Sequence, residues 1–279
     1  MKKFINLLNF EMDRFLKFLL PTLLITGLLQ FYQVFQAAQS YKNDADNILA
    51  QSPEGTKAVI SELGYFSMRN VTSGGIFTLS LGVLVLVFVF YSFFVWYRDW
   101  LGRNTFAYRL LMLPIHRIQI LLTKAAVFII GGLLAFSVQF GMFFIEEIFA
   151  KQLIPNGLFM ELNMHDIQPM YDLFFDFIFP KSGVQFLSVY SFAFAALITL
   201  FTGIIFERSF GIKGLITGVL YFAGYFVLYL FINGIAYYDF VPFILKPSQV
   251  FISLLIYQFI VILLGILLSN FLLKKKIKI

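Results

Sequence analysis

The 279-residue sequence contains no cysteine and only two histidines, His116 and His165. The first absence excludes disulfides, thiolate metal sites and a cysteine nucleophile. The second leaves too few imidazoles for a histidine-built metal centre without many carboxylate partners, and no metal site is predicted. Charge is scarce as well. Asp, Glu, Lys and Arg make up 13% of the chain, where a soluble globular chain carries about 25%. A phosphate loop of the form G-x-x-x-x-G-K-[ST] is also missing, so the chain lacks the standard means of holding ATP.

What is present is apolar. Sixty per cent of the residues are hydrophobic and 19% aromatic, with 38 Phe and 14 Tyr. Soluble domains are about 45–50% apolar, and one water-soluble core of this length cannot hide such an excess. The fold class predicted is an all-α membrane protein. The net charge of +6 does not point to nucleic acid, because most basic residues flank apolar runs. Membrane lipid is the expected surface, and no nucleic-acid partner is expected.

A spanning helix needs about 20 mostly apolar residues to cross about 30 Å of hydrocarbon. Six segments qualify: 18–35, 76–97, 125–145, 183–206, 214–238 and 247–273. Continuous runs of this kind read as helices, since barrel strands alternate over about ten residues. The first is the weakest, with Pro21, Gln30 and Gln33. It is predicted to be retained rather than cleaved as a leader, because Glu11 and Asp13 interrupt its basic start and no small-x-small site follows Phe35.

Charge placement predicts the orientation. Lys2, Lys3, Arg14 and Lys17 precede the first span; Arg98, Arg103, Arg109, Arg117 and Lys124 lie between the second and third. Arg208 and Lys213 follow the fourth, and Lys274, Lys275, Lys276 and Lys278 follow the sixth. These are 15 of the 21 basic residues, all on one side. By the positive-inside rule both termini are cytoplasmic, in a plasma membrane.

Residues 1–17 place Phe4, Leu7, Leu8 and Phe15 near one helical face. They are expected to form a cytoplasmic interfacial helix, with a simple extension of span one as the alternative. Residues 18–279 then form the six-span domain. Two long outside segments, 37–75 and 146–182, are expected to make a small extracellular cap. The first has a probable turn at Pro53 and Gly55; the second carries Asp172 and Asp176 in an aromatic run, a composition that argues against disorder. The short stretch 236–249, broken by Pro242 and Pro247, suits a re-entrant or interfacial piece.

The cytoplasmic loop 98–124 is the most informative stretch. Phe106, Leu110, Leu111 and Leu113 give an apolar side to a segment too short to span. An amphipathic helix of this kind is a natural contact for a soluble partner. Its pattern "R…G…Y…LPIHRIQILLTK" resembles the segment of type-2 ABC-transporter permeases in which a short helix precedes LP-x-x-R and a lysine opens the third span. The likeness in topology extends over essentially the whole chain. It implies a permease subunit of an ATP-driven exporter, not an enzyme by itself, with Arg98, Arg103, Arg109, Pro114 and Arg117 as landmarks of the ATPase-coupling segment. It also implies an ATP-binding cassette subunit as partner, which would hold ATP and magnesium, and a second permease copy or paralogue. The two long outside segments resemble those of the capped staphylococcal exporters of amphipathic peptides, the phenol-soluble modulin exporters. The Lys-, Ile- and Phe-rich usage hints at a low-GC Gram-positive bacterium.

Gly214 and Gly218 form a G-x-x-x-G pair that allows close helix approach. Packing within one chain and a dimer interface both remain open, and the resemblance favours the interface. The spans contain no charge, only polar residues such as Ser80, Gln139, Thr199, Thr202, Thr217 and Asn233. A stand-alone ion-coupled carrier is therefore disfavoured, while an apolar or amphipathic cargo, cytolytic or antimicrobial peptides foremost, suits the Phe-rich helices.

Two other classes stay in view. Glu146 and Glu147 with Lys151 resemble the first motif of intramembrane prenyl-type proteases. That family has arginine at the position of Lys151 and histidines in later helices, and no span here contains histidine. A peptide-binding immunity protein that moves nothing is the third reading.

Overall fold

The computed structural model describes residues 2–51, 53, 55–100, 112, 116–155, 157–161, 183–237 and 247–276. They form α1 (Lys2–Gln51), α2 (Thr56–Leu63), α3 (Met68–Thr72), α4 (Gly75–Trp100), α5 (Ile118–Leu153), α6 (Gly183–Phe210), α7 (Ile212–Tyr237) and α8 (Pro247–Lys275). No strand occurs among the described residues. All but α2 and α3 are long and apolar enough to cross a membrane. The chain is an all-α, multi-pass membrane protein.

Residues 2–17, expected as an interfacial helix, do not form a helix of their own. Lys2–Gln51 is one 50-residue helix, with Pro21 inside it. At 1.5 Å per residue it is about 75 Å long, more than twice the hydrocarbon thickness. Buried positions recur along its length: Leu7, Glu11, Phe15, Leu19, Thr26, Gln30, Val34, Ala38, Tyr41 and Ala45 are all buried. Spacings of three, four and seven keep each beside the one before, in a stripe that winds slowly round the helix, and nothing between residues 17 and 18 favours a bend. The stripe also carries the helix into the segment expected to be a loop from residue 37. The turn falls beyond Gln51, where Gly55 adopts a left-handed φ of 60°. In the same way α5 continues to Leu153, so Glu146 and Glu147 sit within a helix.

The chain forms two compact units. Unit one comprises Met1–Phe15, Val89–Ile130 and Gly183–Ile279; unit two comprises Leu16–Phe88 and Gly131–Ser182. The helices α1, α4 and α5 contribute to both.

In unit one, Phe15, Tyr91 and Phe128 join α1, α4 and α5 through ring centroids 4.8, 5.5 and 5.7 Å apart. Phe201 of α6 completes this core, 5.9 Å from Phe128 and 5.5 Å from Trp96. Against α6 lie α7 and α8. Gly203 and Gly218 meet backbone to backbone, so that a Cβ on Gly218 would come within 2.7 Å of the Gly203 carbonyl oxygen. Thr202 and Ser269 share a hydrogen bond of 3.0 Å between α6 and α8.

In unit two, Gln30 of α1 donates to Gln139 of α5 at 2.9 Å, and Phe31 packs edge-on against Phe149. The segments following α1 and α5 also meet. Phe66 donates its N–H to the Leu158 carbonyl and accepts from Met160, both at 2.9 Å, and Tyr41 donates to the Gly64 carbonyl at 2.6 Å. Tyr41 also stands 5.3 Å from the Phe66 ring. This small module is held by backbone pairing and aromatic burial. Asp172, Asp176 and most of 236–249 lie outside the described residues.

Candidate functional site: a buried ionic cluster in unit one

Three helix segments each bring ionisable side chains to one place. Glu11 and Arg14 come from α1, Arg98 and Asp99 from the last turn of α4, and Lys124 from the second turn of α5. Lys124 is the centre. Its ammonium donates to Glu11 at 3.1 Å, to Asp99 at 2.5 Å and to the Val95 carbonyl at 3.1 Å. An ammonium has three donors, and all three are used. Arg98 reaches the other oxygen of Glu11 at 3.2 Å, and Arg14 the other oxygen of Asp99 at 3.4 Å. Every carboxylate oxygen in the cluster therefore meets a cation.

Burial makes this arrangement strong rather than ornamental. The side chains of Lys124, Glu11 and Asp99 are 1%, 2% and 3% exposed. Taking such ions out of water costs several kcal/mol each, and only close, fully bonded partners offset it. The arginines complete the shell from its wetter edge, Arg14 stacking over Phe10 at 3.9 Å and Arg98 over Phe94 at 5.4 Å. With each carboxylate oxygen and each Lys124 proton engaged, the cluster has no free base or acid for chemistry. It works as a joint among three helices.

The joint has neighbours on α6 and α8. Tyr97 donates to Glu207 of α6. Arg208 lies over the rings of Tyr97 and Trp100 at 5.2 and 5.7 Å. Arg117, just before α5, donates to the Leu273 carbonyl in the last turn of α8 at 2.7 Å. A cation there also suits the negative end of a helix dipole.

No protein-family model, curated protein or solved structure matches the chain.

Of the landmarks expected in the coupling segment, Arg98 belongs to the ionic cluster and Arg117 to the α8 terminus. Arg103, Arg109 and Pro114 lie outside the described residues, as do Leu110, Leu111 and Leu113. Gly214 and Gly218, expected at a dimer interface, make their close approaches within the chain, Gly214 to the backbone at Phe206 and Gly218 to Gly203. The glycine face of α7 is thus covered by α6.

Glu146 and Glu147 do not converge. Neighbours on a helix point about 100° apart, and Glu146 is 1% exposed while Glu147 is half-buried. Lys151 pairs with the exposed Glu161. Among the described residues no group of three or more His, Asp or Glu is placed to hold a metal.

Sequence reasoning missed the cluster because it assigned Glu11, Asp99 and Lys124 to loops as topology markers. A signal was available. All three lie at the same edge of their apolar runs, and two are acids on the basic side. An acid that breaks the charge rule at a span edge is a candidate partner for a buried cation.

Proposed function

We propose that the chain is the permease subunit of an ATP-driven exporter of the type-2 ABC class. It would lie in a bacterial plasma membrane with both termini cytoplasmic. The single observation that carries this reading is how the basic segment 98–117 is attached. Its first residue, Arg98, is bonded into the joint with α1 and α5; its last, Arg117, is bonded to the end of α8. A displacement of that segment by a docked partner would therefore be passed to four helices at once.

ATP and magnesium would be held by a separate ATPase subunit, a reading supported by the lack of a phosphate loop in this sequence. Charge-free spans rich in Phe suit an amphipathic or hydrophobic cargo, with cytolytic peptides the leading class. A second permease copy or paralogue would complete the pathway. Because the Gly214–Gly218 face is occupied within the chain, that copy would dock on another face.

The test is purification of the tagged chain from its native membrane in mild detergent, followed by export assays in inverted vesicles. A stoichiometric partner bearing a phosphate loop is expected, and peptide uptake into the vesicles should require ATP. Replacing Arg109 and Arg117 with Glu should abolish uptake while the chain remains in the membrane at normal abundance. Unchanged uptake would remove the assigned docking segment. A chain that comes away alone after cross-linking would remove the permease reading.

A further inference from the structure

Unit two holds a carboxyl that the permease reading does not use. Glu146 lies towards the C-terminal end of α5, 1% exposed, and its Oε1 has no hydrogen-bond partner among the described residues. It shares one buried face of α5 with Ala135, Gln139, Phe143 and Ala150, at spacings of three and four. The contacts of Gln139 with Gln30 and of Phe149 with Phe31 turn this side of α5 towards α1.

Among the described residues, the charged groups of this unit leave Glu146 unmatched. On α5 itself, Glu147 and Lys151 act on Glu161 rather than on Glu146. The portion of α4 in this unit, Gly75 to Phe88, contains no ionisable residue. The charged residues of α1 in this unit, Lys17, Lys42, Asp44 and Asp46, form no ion pair with it, nor do Lys57, Glu62 or Arg69 of the module beyond α1. A lone carboxylate in an apolar place is far costlier than a carboxylic acid.

The same face carries further unmet polar atoms. Among the described residues the Nε2 of Gln139 and the Oε1 of Gln30 are buried without partners. Gln139 stands seven residues, two helical turns, before Glu146, about 10 Å along the axis. One orphan donor and one orphan acceptor in line with a buried acid are what a short file of water needs, since each ordered water binds two to four polar groups.

We propose that Glu146 is a proton-binding site of unit two, carried as the neutral acid while α1 and α5 pack as they do here and discharged to water admitted along the Gln30–Gln139 stripe. In the discharge step the carboxyl O–H bond breaks and its proton passes to a water oxygen. The carboxylate left behind is solvated by the waters that admitted the transfer, and the reverse step restores the acid. The site would couple α1–α5 packing to proton availability independently of any ATPase.

The experiment uses the full chain in lipid nanodiscs and an apolar carbodiimide, dicyclohexylcarbodiimide. A carboxylic acid adds across its C=N bond and rearranges to a stable N-acylurea, which peptide mass spectrometry locates. At neutral pH the label is expected on Glu146 in preference to the adjacent Glu147, and it should be lost as the pH is made alkaline. A protonated-carboxyl band in the infrared spectrum should vanish with the same pH change and be missing in Glu146→Gln. Labelling that ignores pH, preferential labelling by a water-soluble carbodiimide, or no reaction with either reagent would each overturn the proposal. The wild-type titration decides the matter even if the variant does not fold. Neither ATP nor a partner enters, so failure here and failure of the permease reading are separate results.

Discussion

The two units treat buried charge in opposite ways. In unit one, five ionisable side chains close on each other until each carboxylate oxygen and each Lys124 proton has a partner. In unit two, a single carboxyl and an amide pair are buried with bonds left open. A filled network holds one geometry, because any departure strands an ion. An unfilled one tolerates more than one arrangement, since water or a proton can enter and leave. The difference separates a joint from a place of exchange, although both are buried polar groups in an otherwise apolar chain.

The largest effect should come from opening the joint. Lys124→Met leaves Glu11 and Asp99 as buried carboxylates facing only the arginines, a change that costs about 3–5 kcal/mol when a buried pair is broken. Reversible unfolding in detergent is expected to show it. Adding Glu11→Gln and Asp99→Asn to that variant should recover most of the loss, because the stranded charge is then gone. If the triple variant is no more stable than Lys124→Met alone, the cluster's value lies in something other than charge matching, and the contrast between the units weakens.

A smaller effect tests whether unit one is held by packing as firmly as by charge. Gly218→Ala would set a methyl group 2.7 Å from the Gly203 carbonyl oxygen, a backbone atom that cannot swing aside. Overpacking of this kind costs about 1–3 kcal/mol. Gly224→Ala in the same helix meets nothing within 4 Å, and Ala is the better helix former by about 1 kcal/mol. The two alanines should therefore move stability in opposite directions in the same unfolding assay. Equal losses would mean that α7 does not seat on α6 through Gly203.

How much of this was legible beforehand depends on the length scale of the signal. The six spans are readable because each is a long apolar run, and the all-helical class follows from that alone. The ends of the helices are not readable from hydropathy. Residues 2–17 and 37–51 are polar enough to look like an amphipathic appendage and a loop, yet a buried stripe from Leu7 to Ala45 keeps them in one helix. Glu146 shows the same limit: by composition it begins a polar outside segment, while the helix carries it on into a buried place. The cluster around Lys124 was hidden for a different reason. Its inter-helix bonds join residues 25 to 113 positions apart, and nothing local in a sequence announces which span edges will touch. The close approach at Gly214 and Gly218 was legible, but whether its partner is α6 or a second copy depends on geometry that the motif does not carry.

The smallest effect expected is also the one that bears most directly on unit two. Gln30 donates to Gln139 at 2.9 Å, while the acceptor of the first and the donor of the second stay open. Hydrogen bonds between helices in membranes average about 0.6 kcal/mol by double-mutant cycles, and a half-filled pair should not exceed that. A cycle of Gln30→Leu, Gln139→Leu and the double variant isolates the coupling. The corresponding cycle on Lys124 and Asp99 should be several times larger, since both members there are ions with no water to replace the lost partner. If the amide pair instead couples as strongly as the ion pair, α1 and α5 are clamped at this level as tightly as in unit one. Water could not then pass the pair to reach Glu146, and the proton would have to enter from the other end of the helix.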